Sequence, residues 1–221
     1  MDTTQVGGDS LPAASVAETT AAPAPPDVLI GAGGEPLTLG LSVFLIGALT
    51  LGMTFVGVFP AAATGELIPV AIFTTGILLL VTTVWGLLRG QSVLTGIFGT
   101  VAGLFLSFGV LVMGLYHNWF AITPTAVPSA EAIFFIAFGC WFTLLLVPSV
   151  KLPAMYTVTI ALVVVSIGLG SAGLLSPSAT LLQAAGGGFL AVSFCLAWLW
   201  MNTHTTEVGL KAWPPLGKPL A

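Results

Sequence analysis

Six apolar runs, each about as long as a bilayer is thick, occupy most of this 221-residue chain. A helix needs roughly 20 apolar residues to cross the hydrocarbon core, where only helices and closed barrels satisfy every backbone hydrogen bond. Only 5% of the residues are charged, against about 25% in an ordinary soluble domain. The sequence therefore predicts an all-α membrane protein with six transmembrane helices, over residues 39–59, 70–88, 94–116, 132–150, 154–175 and 181–201.

The basic residues indicate how these spans are oriented. With an even number of spans, all four fall on the side of both termini: Arg89, Lys151, Lys211 and Lys218. Because cytoplasmic loops are enriched in Lys and Arg, both termini are predicted to be cytoplasmic. Residues 1–34, rich in Ala and Pro and acidic in charge, are expected to be a disordered tail and not a signal peptide. Residues 35–205 are the predicted membrane domain, and residues 206–221 a cytoplasmic tail.

The predicted spans lack the groups that most membrane chemistry requires. They contain no Asp, Glu, Lys, Arg or His, whereas pumps and proton relays usually keep ionisable groups at membrane depth. The two histidines flank spans on opposite sides, and both cysteines fall inside apolar runs, so we expect no catalytic residue, no metal site and no disulfide. The chain is accordingly predicted not to be an enzyme and to need no cofactor, and its acidic composition argues against nucleic acid.

Small and hydroxylated residues are frequent within the spans. Pairs at a spacing of four, such as Gly99 with Gly103 and Ser166 with Gly170, are interpreted as close helix packing inside one protomer in preference to an oligomer interface. Most Ser and Thr hydroxyls are expected to bond carbonyls of their own helix. A minority could line a path for a small, weakly polar solute.

Four segments in order resemble one known family. EPLTLGL, residues 35–41, is similar to the Asn-Pro-Ala-Pro-Leu-Gly-Leu signature that opens the first helix of the acetate uptake transporter family, also called the acetate and succinate permease family. GLLRGQ (86–91), IFGTVAGLFLSFG (97–109) and TEVGLKAWPPLGK (206–218) resemble later family segments. The chain is identified as a divergent member over residues 35–218, which implies six spans with both termini cytoplasmic.

The resemblance also implies a function and a set of site residues. Family members carry small monocarboxylates such as acetate through a narrow hydrophobic pore in each protomer of a homo-hexamer, so we expect a multi-pass protein of the plasma membrane with a small organic acid as substrate. Phe44 matches the family's pore phenylalanine, whereas Val101 replaces a constriction tyrosine and Thr82 a common glutamine. The predicted pore residues are Gly40, Leu41, Phe44, Thr82, Thr100 and Val101.

Two other functions stay open at this point. A channel for a small neutral solute such as urea or an amide suits uncharged spans equally well. A non-transporting membrane subunit that keeps the fold is favoured by the altered signature and by Val101. For a monocarboxylate, the absence of titratable groups from the predicted spans indicates that the proton travels with the substrate as the undissociated acid, or along hydroxyls and water. Symport and passage through a channel both stay open.

Overall fold

The computed structural model describes residues 34–221 and consists of a bundle of apolar helices. The predicted N-terminal tail, residues 1–34, lies outside the described residues apart from Gly34. Six helices are long and apolar enough to cross a membrane, and the described residues form no strand. The predicted all-α membrane fold is therefore confirmed, while the cytoplasmic placement of both termini stays a prediction. The helices are α1 (Pro36–Val56), α2 (Ala63–Leu88), α3 (Ser92–Tyr116), α4 (Pro124–Ser149), α5 (Ala154–Leu175) and α6 (Ala179–Glu207).

The helices extend beyond the predicted spans, and the added turns contain ionisable residues. Glu66 and Glu131 lie near the starts of α2 and α4, and His204 and Glu207 lie in the last turn of α6. The predicted spans themselves contain no Asp, Glu, Lys, Arg or His, but the longer helices that include them do. An apolar run stops at the first charged residue, whereas a helix continues as long as its backbone hydrogen bonds are satisfied. Pro128 does not interrupt α4, because a proline near the start of a helix has no intrahelical N–H bond to lose.

Residues 35–41 contain a complete start signal for α1. The Oε1 atom of Glu35 accepts a hydrogen bond from the backbone nitrogen of Leu37 at 3.3 Å, and Pro36 occupies the first helical position. This arrangement satisfies one of the free N–H groups at the helix start. The helix ends at Gly57, which adopts the left-handed conformation (φ 80°) and bonds the carbonyl of Thr54.

The first half of α2 is irregular. A 3₁₀ segment (Ala61–Glu66), which begins just before α2, leads through a short α-helical turn (Leu67–Pro69) into a π-helical segment (Val70–Ile77), and regular α-helix follows. Thr75 of the π-helical segment is fully buried, and its hydroxyl donates to the carbonyl oxygen of Val43 in α1 at 3.3 Å. This bond between helices ties α2 to the middle of α1.

Glycines allow α1 to lie close to its neighbours. A Cβ atom at Gly186 of α6 would lie 2.5 Å from the backbone nitrogen of Val56 in α1, closer than any ordinary van der Waals contact. Gly99 faces Thr83 of α2 within the same protomer, but Gly103, its partner in the sequence pattern, faces open space. Only the first residue of that pair therefore packs inside the protomer.

The C-terminal segment, residues 208–221, folds back on the bundle. The Asn202 side-chain amide donates to the Pro214 carbonyl at 2.7 Å, and the Trp198 indole donates to the Pro215 carbonyl at 3.0 Å. The backbone nitrogen of Met155, at the start of α5, donates to the Leu216 carbonyl at 3.0 Å. We call this end of the bundle the tail side, and the end with the α1–α2 and α3–α4 connections the far side.

Candidate functional site

Two cavities and a narrow space between them lie in series along one face of α1. The tail-side cavity has a volume of about 740 Å³, the far-side cavity about 380 Å³, and the space between them, which we call the waist, about 20 Å³. Apart from Thr54, which lies beside the last of them, the side chains of α1 that line these spaces recur every three or four residues: Leu37, Leu41, Phe44, Ala48, Leu51 and Phe55. Because that spacing is the period of one helix face, this face of α1 follows the axis of a candidate pore.

The tail-side cavity is bordered by the α2–α3 turn, the start of α5 and the C-terminal segment. Gln91 and Ser92 come from the turn, and Leu216 comes from the C-terminal segment. Most of the wall is aliphatic, with Tyr156 and Thr159 of α5 as its other polar side chains. The Thr159 hydroxyl donates to the carbonyl of Met155 at 2.7 Å.

The waist is lined only by carbon. Five helices contribute to it, all except α2, and its volume of about 20 Å³ leaves room for roughly one water molecule. Its lining residues are Phe44, Ala48, Leu51, Val101, Leu104, Phe105, Phe135, Phe142, Val163, Ile167, Phe189 and Val192. None of these side chains has a nitrogen, oxygen or sulfur atom with which to replace the water around an ion.

Aromatic rings bound the waist at both ends. Toward the tail side, Phe44 and Phe105 pack edge to face with ring centroids 6.1 Å apart. Toward the far side, Phe55 lies 5.9 Å from Phe135 and 6.0 Å from Phe189, again edge to face. Such edge-to-face pairs stabilise a fold by about 0.5–1.5 kcal/mol each beyond the burial of their area, so the constriction is a packed feature of the fold.

The far-side cavity differs from the waist in having polar and ionisable lining residues. Thr54, Tyr116 and the half-buried Glu131 lie among its apolar lining residues. A smaller cavity of about 240 Å³ shares Thr54 with it and is lined in part by Glu66. The far side of the candidate pore thus carries carboxylates outside the constriction.

The waist favours a neutral form of any acid that passes through it. Moving a carboxylate from water into an apolar medium such as the waist costs on the order of 20 kcal/mol in the idealised Born treatment, and several kcal/mol in real proteins. Protonating an acid with a pKa near 4.3 at pH 7 costs about 3.7 kcal/mol, since each pKa unit corresponds to about 1.36 kcal/mol. Protonation before crossing is therefore the cheaper route, and the geometry suits small neutral solutes.

The structure brings three of the predicted pore residues to the cavities. Leu41 lines the tail-side cavity, and Val101 lines the waist. Phe44 lines both the tail-side cavity and the waist, and therefore lies at the boundary between these two spaces. The phenylalanine at this position faces the interior of the bundle, as the family resemblance implies.

The other three predicted residues lie away from these spaces. A Cβ atom at Gly40 would lie 2.8 Å from the ring of Phe98 and from Thr82, so Gly40 and Thr82 meet where α1 contacts α2 and α3. The Thr82 hydroxyl donates to the Leu78 carbonyl of its own helix at 3.0 Å. Thr100 donates to Gly96 in the same way. Gly40 and Thr82 therefore pack between helices, Thr100 bonds its own helix, and none of the three lines the waist or either cavity.

Several waist residues are absent from the sequence prediction. Val163 and Ile167 of α5 line the waist, as do Phe135 of α4 and Phe189 of α6. The sequence signal that could have found them is weak, because their helices are apolar on every face. Only the position of each helix against α1 decides which face meets the pore.

Comparison with known proteins gives consistent findings. The model of the GPR1/FUN34/yaaH family matches residues 20–209. Acetate transporter protein patA of Aspergillus clavatus is 28% identical over 173 residues, covering 75% of this chain and 70% of that protein. The protein of the same name from Penicillium expansum is 29% identical over 192 residues, covering 83% and 77%. The structure of the bacterial acetate channel SatP superposes with a TM-score of 0.73 at 18% identity, covering 82% of this chain and 98% of that chain, which establishes similarity of fold.

Proposed function

The chain belongs to the GPR1/FUN34/yaaH family, and on that premise we propose that it transports a small monocarboxylic acid such as acetate across a membrane. The observation that carries the proposal is the series of cavity, waist and cavity along one face of α1. The relatives named as acetate transporters support the choice of substrate class. The chain acts in this proposal as a transporter or channel and not as an enzyme.

The acid crosses the waist undissociated, and its proton travels with it. The carbon-lined waist supports this mechanism, because the full desolvation of a carboxylate there costs more than its protonation does. Phe44 and Phe105 restrict the tail-side end of the waist and so select for small solutes. Hydrated ions and bulky acids are excluded, and no ionisable side chain of the waist is needed as a relay.

The functional unit is a homo-oligomer, a hexamer by family resemblance, in the plasma membrane with both termini in the cytoplasm. A stripe of small residues on the outer face of α3 supports an interface between protomers. Its members are Gly96, Thr100, Gly103 and Ser107, spaced by four, three and four residues. Gly96 and Gly103 face open space in the protomer, and small residues at such a spacing let helices approach closely in lipid.

Uptake of labelled acetate into liposomes tests the proposal. We compare the wild-type protein with Phe44→Trp, which adds bulk at the waist, and with Phe73→Trp on α2, whose phenylalanine is 63% exposed. Protein-free vesicles measure the diffusion of acetic acid through the lipid. We expect protein-dependent uptake in the wild type and in Phe73→Trp, and a loss of at least tenfold in Phe44→Trp.

Three outcomes contradict the proposal. Uptake of labelled urea that acetate does not inhibit would instead support a channel for neutral solutes. Absence of protein-dependent flux, together with a partner that co-purifies in fixed ratio from native membranes, would support a non-transporting subunit. Equal uptake by the two tryptophan variants would place the permeation path away from Phe44.

A further inference from the structure

The tail-side cavity is far larger than a two-carbon acid requires. Its volume is about 740 Å³, against about 20 Å³ at the waist and 380 Å³ on the far side. Sites that enclose drug-sized ligands have volumes of roughly 300–1,000 Å³, mostly apolar walls and a few placed polar groups. The tail-side cavity has these properties, so its dimensions fit a ligand considerably longer than acetate.

The cavity wall is suited to an aliphatic chain. Leu37 and Leu41 of α1, Ile97 of α3 and Ile160 of α5 contribute branched aliphatic side chains, and Leu216 of the C-terminal segment adds another. Leu216 also packs against the hydrophobic core of the bundle, so the segment forms a fixed part of the wall. Apolar surface of this kind stabilises a ligand in proportion to the apolar area that it removes from water.

One hydroxyl among the lining residues is available to bind a carboxyl group. Tyr156 lines the cavity, and within residues 34–221 its hydroxyl has no hydrogen-bond partner. The hydroxyl of Thr159 and the side-chain nitrogen of Gln91, by contrast, already donate, to Met155 and to Glu35. The phenol O–H of Tyr156 is thus a donor without a partner among the described residues, in a wall that is mostly apolar.

From this combination we propose that the tail-side cavity is a binding site for unbranched monocarboxylic acids of about six to ten carbons. Their carboxyl group accepts the hydrogen bond of Tyr156, and their chain lies along Leu37, Leu41, Ile97 and Leu216. In this proposal such acids bind without crossing, because a chain of six to ten carbons has a much larger volume than acetate and the waist encloses only about 20 Å³. The binding site itself does not depend on the proposed transport function. One consequence does rest on that function: these acids inhibit acetate flux when they are added on the tail side.

Binding is measured on the full chain in lipid nanodiscs by equilibrium dialysis with labelled octanoate, and empty nanodiscs give the partition into lipid. Unlabelled butyrate, hexanoate and octanoate then compete for the site. We expect saturable binding to the protein, with an affinity that rises about fourfold per methylene, equivalent to about 0.8 kcal/mol. Octan-1-ol, which enters lipid but lacks the carboxyl group, competes more weakly than octanoate.

Two leucines of the C-terminal segment provide a matched pair of variants. Leu216→Trp fills part of the cavity, and we expect octanoate to bind at least tenfold more weakly. Leu220→Trp changes a side chain that is 63% exposed and leaves binding within about twofold. Ile97→Trp fills the same cavity from α3, so its loss of binding does not depend on how the C-terminal segment folds.

The variant Tyr156→Phe tests the contact with the carboxyl group. We expect it to weaken the binding of every acid by a common factor, between about twofold and tenfold, and to keep the dependence of affinity on chain length.

Three results would overturn the inference: no saturable octanoate binding above that of empty nanodiscs, an affinity independent of chain length, or equal effects of Leu216→Trp and Leu220→Trp. The dialysis measurement needs no transport. Octanoate binding without acetate flux in liposomes would therefore reject the proposed function and keep the site. Acetate flux without octanoate binding would reject the site and keep the proposed function.

Discussion

Adjacent glycines of α6 give a sharp test of how the bundle is packed. An alanine Cβ atom at Gly186 would lie 2.5 Å from the backbone nitrogen of Val56 and 2.8 Å from the carbonyl oxygen of Gly52, whereas Gly187 has no neighbour within 4 Å. Backbone atoms cannot rotate away, so α1 and α6 must separate by roughly 1 Å to restore ordinary contacts. Overpacking of this kind costs about 1–3 kcal/mol.

For a chain of this size, 1 kcal/mol corresponds to roughly 2–4 °C in the unfolding midpoint. We therefore expect Gly186→Ala to lower the midpoint by about 2–12 °C in nanodiscs, as followed by tryptophan fluorescence. Gly187→Ala should leave it unchanged or raise it slightly, because alanine is the better helix former by up to about 1 kcal/mol. Equal shifts in the two variants, or a more stable Gly186→Ala, would refute the close contact between α1 and α6.

The same separation has a consequence for transport. Phe55 of α1 and Phe189 of α6 bound the far-side end of the waist, so moving these helices apart widens it. Below both unfolding midpoints, we expect Gly186→Ala to increase butyrate flux relative to acetate flux. A ratio identical to that of Gly187→Ala would mean that this contact does not control the width of the waist.

Three further predictions follow from the same geometry. Glu131→Gln is expected to change acetate flux less than about twofold, because a neutral acid carries its own proton; a loss of a hundredfold or more in the liposome assay would indicate a relay through this carboxyl group. Gly103→Leu should lower the oligomer mass measured by native mass spectrometry without changing the helical circular dichroism, and an unchanged mass would exclude this face of α3 as the interface. Val101→Tyr should reduce acetate flux at least tenfold, because a waist of about 20 Å³ has no room for a phenol ring; undiminished flux would show that the waist adapts.

The sequence was sufficient to predict the class of fold, because six apolar runs separated by Pro and Gly leave few alternatives to a bundle of spans. It was less informative about where helices end. Glu131 precedes the fourth apolar run and Asn202 follows the sixth, but both lie within helices. Helix ends depend on backbone hydrogen bonds and caps, which hydropathy does not report.

The site was predictable where a motif names a position and less so elsewhere. Phe44 and Leu41 come from a recognisable signature, and both line cavities. Gly40, in the same signature, instead faces Phe98 and Thr82, because neighbouring residues of a helix point in different directions. Val163 lines the waist from α5, but its helix is apolar all round, so no periodicity marks its inner face.

The charge state in which the acid crosses can be measured directly. Liposomes containing the protein are held at equal pH on both sides, and a potassium diffusion potential is set with valinomycin while the initial rate of labelled acetate uptake is recorded. Vesicles containing Phe44→Trp provide the background. Passage of the undissociated acid predicts a rate that does not change when the potential is shifted by 100 mV. Passage of the anion would contradict this, because the uptake rate would then change with the potential. A shift of 100 mV is equivalent to about 2.3 kcal/mol per charge, or roughly fiftyfold.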